Sequence, residues 1–110
     1  MQLENYAHGQ WIKGSGRQSE LVDAITGELI GTTSSGGLDF GAMFTYAREV
    51  GGPPLRKMTF PERGRMLKAL ALYLMDRKDE FYQISYRTGA TKADSWVDIE
   101  GGIGNVFATA

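Results

Sequence analysis

The chain has 110 residues, enough for one ordinary domain with a single core. Its 12 basic and 13 acidic residues give a net charge of −1, so charge provides no basis for binding nucleic acid or an anionic membrane. It contains no cysteine, which excludes disulfides, a thiolate nucleophile and cysteine-ligated metal. No apolar run approaches the roughly 18 residues of a spanning helix and no signal peptide is visible, so we expect a cytoplasmic protein.

Two β-hairpins are predicted in the first third of the chain. The first covers 5–12 around the two-residue loop His8-Gly9, since glycine in second place is typical of a tight hairpin turn. His8 is the only histidine and has no metal-binding partner nearby in sequence, so we interpret it as a solvent-facing turn residue. The second hairpin covers 20–33 around a Thr-Gly turn. A two-stranded hairpin is marginal alone in water, so both should lie on another element.

Four helices are predicted, and their approximate bounds are 38–50, 60–75, 78–88 and 95–110. The first is expected to end at the Gly-Gly-Pro-Pro run at 51–54, because glycine favours a helix end and proline cannot continue a helix. The second begins with the capping-box pair Thr59 and Glu62. Pro61 falls in its first turn, where the missing N–H costs nothing.

The stretch 59–89 is the longest with helical periodicity. Its apolar residues recur at three, four and seven positions and so share one face: Leu67, Leu70, Leu74, Phe81 and Ile84. The polar cluster at 76–79 interrupts this stripe and predicts a kink between two helices, and Gly89 is the expected left-handed stop. The pair Ser95 and Asp98 is predicted to start the last helix. That helix reaches the chain end without a C-cap, which is typical of a truncated chain.

Three glycines lie inside the last predicted helix, where each costs roughly 1 kcal/mol relative to alanine: Gly101, Gly102 and Gly104. A phosphate cradle would need a preceding strand and a helix that begins at the glycines, so we set that interpretation aside. Two interpretations stay open. The glycines allow either close packing of another helix or a bare helix face beside a ligand passage.

The charged residues form no catalytic set. Asp94, Asp98 and Glu100 make an acidic cluster, which we interpret as capping and dipole compensation at a helix start rather than as acid–base carboxylates. Basic residues of the stretch 59–89, Lys78 among them, alternate with acidic ones and are interpreted as a solvated face. No nucleophile, base and orienting group occur together. Residue chemistry alone therefore predicts neither a catalytic residue nor a metal site.

The order of elements nevertheless resembles the N-terminal part of the NAD(P)-dependent aldehyde dehydrogenases. The matching segments are Gly-Gln-Trp at 9–11, Ala-Ile-Thr-Gly-Glu-Leu-Ile-Gly at 24–31, Glu-Arg-Gly-Arg-Met-Leu at 62–67, and Thr88-Gly89. The chain departs from the family at Ala24, where proline is frequent, and at 90–92, where Ala-Thr-Lys replaces a lysine directly after the glycine. From Thr88 to Gly104 it is similar to the dehydrogenase half of the bifunctional ring-opening proteins of bacterial phenylacetate degradation. The semialdehyde coenzyme A dehydrogenases of benzoate degradation are next in similarity.

The resemblance implies the α/β fold class, with residues 1–110 as the N-terminal part of a cofactor-binding domain made of two β-hairpins and three to four helices. It implies that the whole enzyme oxidises a coenzyme A-linked semialdehyde to an acid with NAD(P), NADP being favoured, in phenylacetate degradation. The family's catalytic cysteine, glutamate and asparagine and its cofactor-phosphate loop belong to later segments. No catalytic or cofactor-binding residue is therefore carried over, and the chain alone is expected to be inactive. The implied partners are the remainder of its own enzyme, further copies of that enzyme and the aldehyde, without nucleic acid or membrane.

One substrate-facing surface is also implied by the resemblance. In the family, the helix that matches Val97 onward lines the mouth of the substrate tunnel, and bulkier side chains commonly stand where this chain has Gly101. We hypothesise that Val97, Gly101 and Gly104 line this mouth and that the two glycines widen it for a coenzyme A thioester. The alternative function is a free-standing helical interaction module without catalysis. A reading frame that continues past Ala110 to a cysteine nucleophile would favour the enzyme.

Overall fold

The computed structural model describes residues 1–110, which form two compact units, Met1–Arg56 and Lys57–Ala110. The first unit contains two separate two-stranded antiparallel sheets followed by a helical run. The second contains three helices. The chain therefore has the mixed α/β composition that was predicted.

The first hairpin pairs β1 (Asn5–Ala7) with β2 (Gln10–Ile12) through the two-residue loop that was predicted. His8 and Gly9 both have positive φ, 53° and 73°, as a type I′ turn requires. The expectation that His8 faces solvent is wrong in one respect. Its ring is half-buried and packs edge-on against Tyr46, with the ring centroids 5.5 Å apart.

The second hairpin pairs β3 (Ser19–Val22) with β4 (Leu29–Thr33) and contains a register irregularity near the end of β3. The predicted Thr-Gly turn is too short, because the loop runs from Asp23 to Glu28. The Asp23 carboxylate accepts the N–H groups of the residues two and three positions later, at 2.8 and 3.1 Å. Backbone hydrogen bonds close the same loop, from the N–H of Asp23 to the Glu28 carbonyl and from the N–H of Gly27 to the Asp23 carbonyl, each at 2.9 Å.

The edge of β4 is covered by the start of the chain. Leu3 donates its N–H to the Thr32 carbonyl at 2.8 Å, and Thr32 donates its N–H to the Met1 carbonyl at 2.9 Å. The Asn5 side chain donates to the Ser34 carbonyl at 2.7 Å, which ties the first sheet to the end of the second hairpin. The hairpins thus stabilise each other partly through hydrogen bonds rather than through a shared apolar face.

The first predicted helix does not end at the Gly-Gly-Pro-Pro run, and that prediction is wrong. Helix α1 (Phe40–Tyr46) passes into a π-helical segment (Ala47–Gly51) and then into α2 (Gly52–Lys57). Pro53 and Pro54 lie inside this continuous helical run and donate no N–H to its preceding turn. The wider π turn just before them relieves the clash that a proline ring makes with the preceding turn of a regular helix.

The predicted kink in the stretch 59–89 is confirmed. Helix α3 (Phe60–Asp76) opens with the predicted capping box, in which the N–H of Thr59 bonds the Glu62 carboxylate at 2.7 Å and the N–H of Glu62 bonds the Thr59 hydroxyl at 3.3 Å. Arg77 alone separates it from α4 (Lys78–Tyr86). Gly89 has φ 86°, as expected of a left-handed stop.

The last helix, α5 (Lys92–Thr109), starts earlier than predicted. Its N-cap is Thr91, whose hydroxyl accepts the N–H of Asp94 at 3.2 Å. Ser95 is therefore not the cap. It lies inside the helix, has no solvent exposure, and its hydroxyl is 2.8 Å from that of Ser85.

Helix α5 packs against both α3 and α4 around a small core that consists of Ala71, Tyr82, Ser95 and Ile103. The predicted stripe is only partly right, since Leu70 is exposed and Ile84 is 64% exposed. Ala71 is fully buried, whereas its neighbour Leu70, about 100° further round α3, lies outside the core.

The accessible surface of the chain is 8291 Å². Even two separate compact units of about 6 kDa each would expose only about 7,300 Å² together. The excess reflects the many large apolar side chains that remain exposed, Phe44 and Phe60 among them. No helix of the structure combines the length and the apolar character needed to cross a membrane.

Candidate functional site

The outward face of α5 carries the three residues that were predicted to line a substrate passage. Val97, Gly101 and Gly104 share this face, Val97 is 64% exposed, and both glycines are exposed. A Cβ atom built on Gly101 or Gly104 meets no atom within 4 Å, and the same holds at Gly102. Close helix packing within this chain therefore does not explain the glycines.

The glycine-containing segment remains helical despite its composition. Helix α5 runs unbroken to Thr109, although three glycines in a helix interior cost roughly 1 kcal/mol each relative to alanine. The segment is held from its other side, where Ile103 is 6% exposed and packs in the core. Helix α5 is thus anchored on one face and bare on the opposite one.

A polar network joins α4 to α5 immediately before the glycines. The Tyr82 hydroxyl donates to Glu100 Oε2 at 2.5 Å, and the Lys78 ammonium lies 3.2 Å from Glu100 Oε1. Tyr82 is 8% exposed and the Glu100 side chain 20% exposed. Both carboxylate oxygens of Glu100 therefore have a hydrogen-bond partner, beside an open pocket that Lys78, Tyr82 and Glu100 help to line.

This network shifts the ionisation of its members in opposite directions. The hydrogen bond to Glu100 raises the pKa of Tyr82 to about 12, with burial and nearby negative charge acting in the same sense. The hydrogen bonds from Tyr82 and Lys78 hold the pKa of Glu100 below its ordinary value, against a smaller opposing effect of burial. At neutral pH the Glu100 carboxylate is ionised and the Tyr82 phenol keeps its proton.

The structure divides the predicted acidic cluster into three unrelated environments. Asp94 belongs to the helix start, where its carboxylate accepts the Thr91 hydroxyl hydrogen bond at 3.1 Å, so the capping role is correct there. Asp98 borders an apolar groove. Glu100 is the acceptor of the network, so helix capping is wrong for it, and Lys78 pairs with Glu100 while its own side chain stays 41% exposed. No local sequence signal could have paired these residues, because their contact depends on how α4 and α5 are aligned.

An apolar groove runs along α5 next to the face that packs in the core. Its volume is about 490 Å³. The groove is lined mainly by aliphatic and aromatic side chains of α3, α4 and α5: Leu74, Phe81, Ile84, Ile99, Ile103 and Val106. Gly102 opens onto it, whereas Gly101 and Gly104 do not line it. It offers apolar surface and no reactive group.

The glycine-containing loop between β4 and α1 differs in its surroundings from a dinucleotide-binding loop. The one strand–glycine loop–helix succession leads from β4 to α1, but β4 belongs to an antiparallel pair rather than to a parallel sheet. The N-terminus of α1 is capped by the Asp39 carboxylate, which accepts the N–H of Ala42 at 3.0 Å and would repel a phosphate. No group of three or more histidine, aspartate or glutamate side chains is placed to hold a metal ion.

The chain combines antiparallel β-hairpins with packed α-helices, the mixed composition of an α/β domain. The sequence profile described as the aldehyde dehydrogenase family matches residues 11–110, and the chain belongs to this family. This confirms the predicted family and fold class.

The second comparison concerns one individual protein. The chain is 40% identical over 111 residues to the 3,4-dehydroadipyl-CoA semialdehyde dehydrogenase of Aromatoleum evansii. The match covers 100% of this chain and 22% of that relative, so the chain spans about a fifth of the relative's length.

Proposed function

We propose that the whole protein is an NAD(P)-dependent oxidoreductase that converts a coenzyme A-linked semialdehyde into the corresponding acid during the degradation of an aromatic compound. Family membership supports the oxidation of an aldehyde. The name of the Aromatoleum evansii relative supports a coenzyme A-linked substrate. The observation on this chain that carries the proposal is the open space at Gly101 and Gly104, which packing within the chain leaves unexplained.

The contribution of this chain, in the proposal, is to shape the entrance rather than to react. It holds no cysteine, so the reacting groups and the NAD(P) cradle lie in the remainder of the enzyme. Val97, Gly101 and Gly104 form one wall of the substrate tunnel mouth. Side chains no longer than that of Val97 leave room there for the wide pantetheine chain of a thioester.

The substitution that tests this wall is Gly101→Met in the whole enzyme. Methionine adds bulk to the outward face, so we expect KM for a coenzyme A-linked semialdehyde to rise at least about tenfold, as a blocked passage requires. Oxidation of a small aldehyde should change much less. The matched control is Gly101→Ala, which makes the same backbone change with little bulk and should leave both substrates nearly unaffected. An equal loss of activity on the two aldehydes with Gly101→Met would rule out the tunnel wall in favour of packing.

Two aldehydes are candidates for the substrate in this proposal. The sequence prediction is the ring-opened semialdehyde of phenylacetate degradation, whereas the name of the relative favours 3,4-dehydroadipyl-CoA semialdehyde. Comparison of kcat/KM for the two thioesters decides between them. The same assays with NAD and with NADP test our proposal that NADP is preferred.

The assembly and location are part of the same proposal. We expect a cytoplasmic homo-oligomer of the whole enzyme, and a 110-residue chain that forms no NAD(P)H by itself. Sedimentation of the whole enzyme tests the oligomer. Measurable aldehyde oxidation by the 110-residue chain would contradict the assignment of the chemistry to other segments.

A further inference from the structure

Two polar contacts join α4 to α5 inside their interface. The hydroxyl oxygens of Ser85 and Ser95 are 2.8 Å apart, and one turn earlier on α4 the Tyr82 hydroxyl donates to Glu100. Ser95 is fully buried, whereas the Tyr82–Glu100 contact joins a nearly buried tyrosine to a carboxylate side chain that is 20% exposed. A hydrogen bond lost at Ser95 is not replaced by one to solvent, and one lost at Tyr82 is replaced only in part.

These contacts constrain the position of α5 more tightly than apolar packing does. Apolar side chains tolerate a helix that slides or rotates slightly on its neighbour, whereas a hydrogen bond weakens steeply with changes in distance and angle. Two such bonds at different heights along α5 define both its axial position and its rotation. The contact at Glu100 matters most for the outward face, because Gly101 follows directly and the segment to Gly104 has the weakest intrinsic helix preference.

We propose that Tyr82 and Glu100 are positioning residues, whose hydrogen bond holds the glycine-containing part of α5 so that Gly101 and Gly104 face the substrate passage. The Lys78 ammonium, 3.2 Å from the second carboxylate oxygen, keeps Glu100 turned toward α4. The link to the substrate rests on the proposed function. The link to helix order rests on the contacts alone.

The kinetic test uses Tyr82→Phe in the whole enzyme, which keeps the packed ring and removes only the hydroxyl. We expect KM for the coenzyme A-linked semialdehyde to rise about fivefold, the scale of one lost hydrogen bond, with kcat and the KM for a small aldehyde changed by less than about twofold. Glu100→Ala should reproduce this split. Glu100→Gln, which still accepts from Tyr82, should recover most of the wild-type KM. The matched control is Tyr73→Phe, which removes a hydroxyl from an exposed ring of α3.

A second readout does not depend on the substrate. In the whole enzyme, Tyr82→Phe should speed hydrogen exchange of the backbone amides at 101–106 about fivefold, while Tyr73→Phe should not. If the whole wild-type enzyme oxidises no coenzyme A-linked semialdehyde, the proposed function fails while the exchange result still decides the positioning role. Unchanged exchange at 101–106, or an equal rise in KM for both aldehydes, would overturn the positioning role.

Discussion

Replacement of the α5 glycines by alanine is expected to stabilise the 110-residue chain. An added Cβ at Gly101, Gly102 or Gly104 meets open space, and none of the three has a positive φ. Each substitution should therefore raise the free energy of unfolding by about 1 kcal/mol, the difference in helix preference between glycine and alanine. The three together should contribute about 2–3 kcal/mol if they act independently.

The measurement is thermal unfolding followed by helical circular dichroism at low protein concentration. One kcal/mol corresponds to a rise in Tm of about 4–8 °C for a unit of this size. The control is Gly89→Ala, in the same unit, where φ of 86° is unfavourable to alanine and Tm should fall. A Tm that stays the same or falls in all three α5 variants would refute the reasoning, because the outward face would then not be open in solution.

Two further predictions concern the interface and the exposed surface. Tyrosinate absorbance, taken as the difference between wild type and Tyr82→Phe, should titrate near pH 12, and Glu100→Gln should move this midpoint toward the ordinary value of 10.0. Because the folded-state pKa is raised, the stabilisation from the Tyr82 proton is complete below pH 10 and is lost as pH rises to about 12; a midpoint at 10 in wild type would contradict the network. The large apolar surface predicts self-association of the 110-residue chain, detected as a concentration-dependent sedimentation coefficient. A sedimentation coefficient that does not change with protein concentration would argue against that expectation.

The features that were predicted correctly depend on residues close together in sequence. The capping box of Thr59 and Glu62 and the tight turn at His8-Gly9 each need only a few neighbouring residues and a fixed backbone geometry. Even so, local patterns compete with one another. Thr91 with Asp94 and Ser95 with Asp98 have the same spacing, and the first pair forms the cap because it allows Ser95 to be buried against Ser85.

What could not be predicted depends on the alignment of helices that are distant in sequence. Glu100 and Tyr82 are 18 positions apart, and nothing in either local pattern indicates that they meet. Both interpretations of the glycines rested on the local sequence. Only the three-dimensional surroundings show that no neighbouring atom in this chain would clash with a larger side chain at these positions. The proposal that this face is a substrate entrance comes from the family resemblance rather than from any local rule.

The π-helical segment Ala47–Gly51 has a consequence for how this region tolerates insertion and deletion. A π turn contains one residue more than an α turn, and one residue of an α-helix corresponds to about 100° of rotation. The segment therefore rotates the residues that follow it by about 100° around the helix axis. As a result, Leu55 does not continue the face that carries Phe40 and Phe44. Loss of one residue here would restore a uniform helix and a single continuous face, but it would also place Pro53 and Pro54 against an ordinary turn. The length of this segment is thus tied to the prolines that follow it.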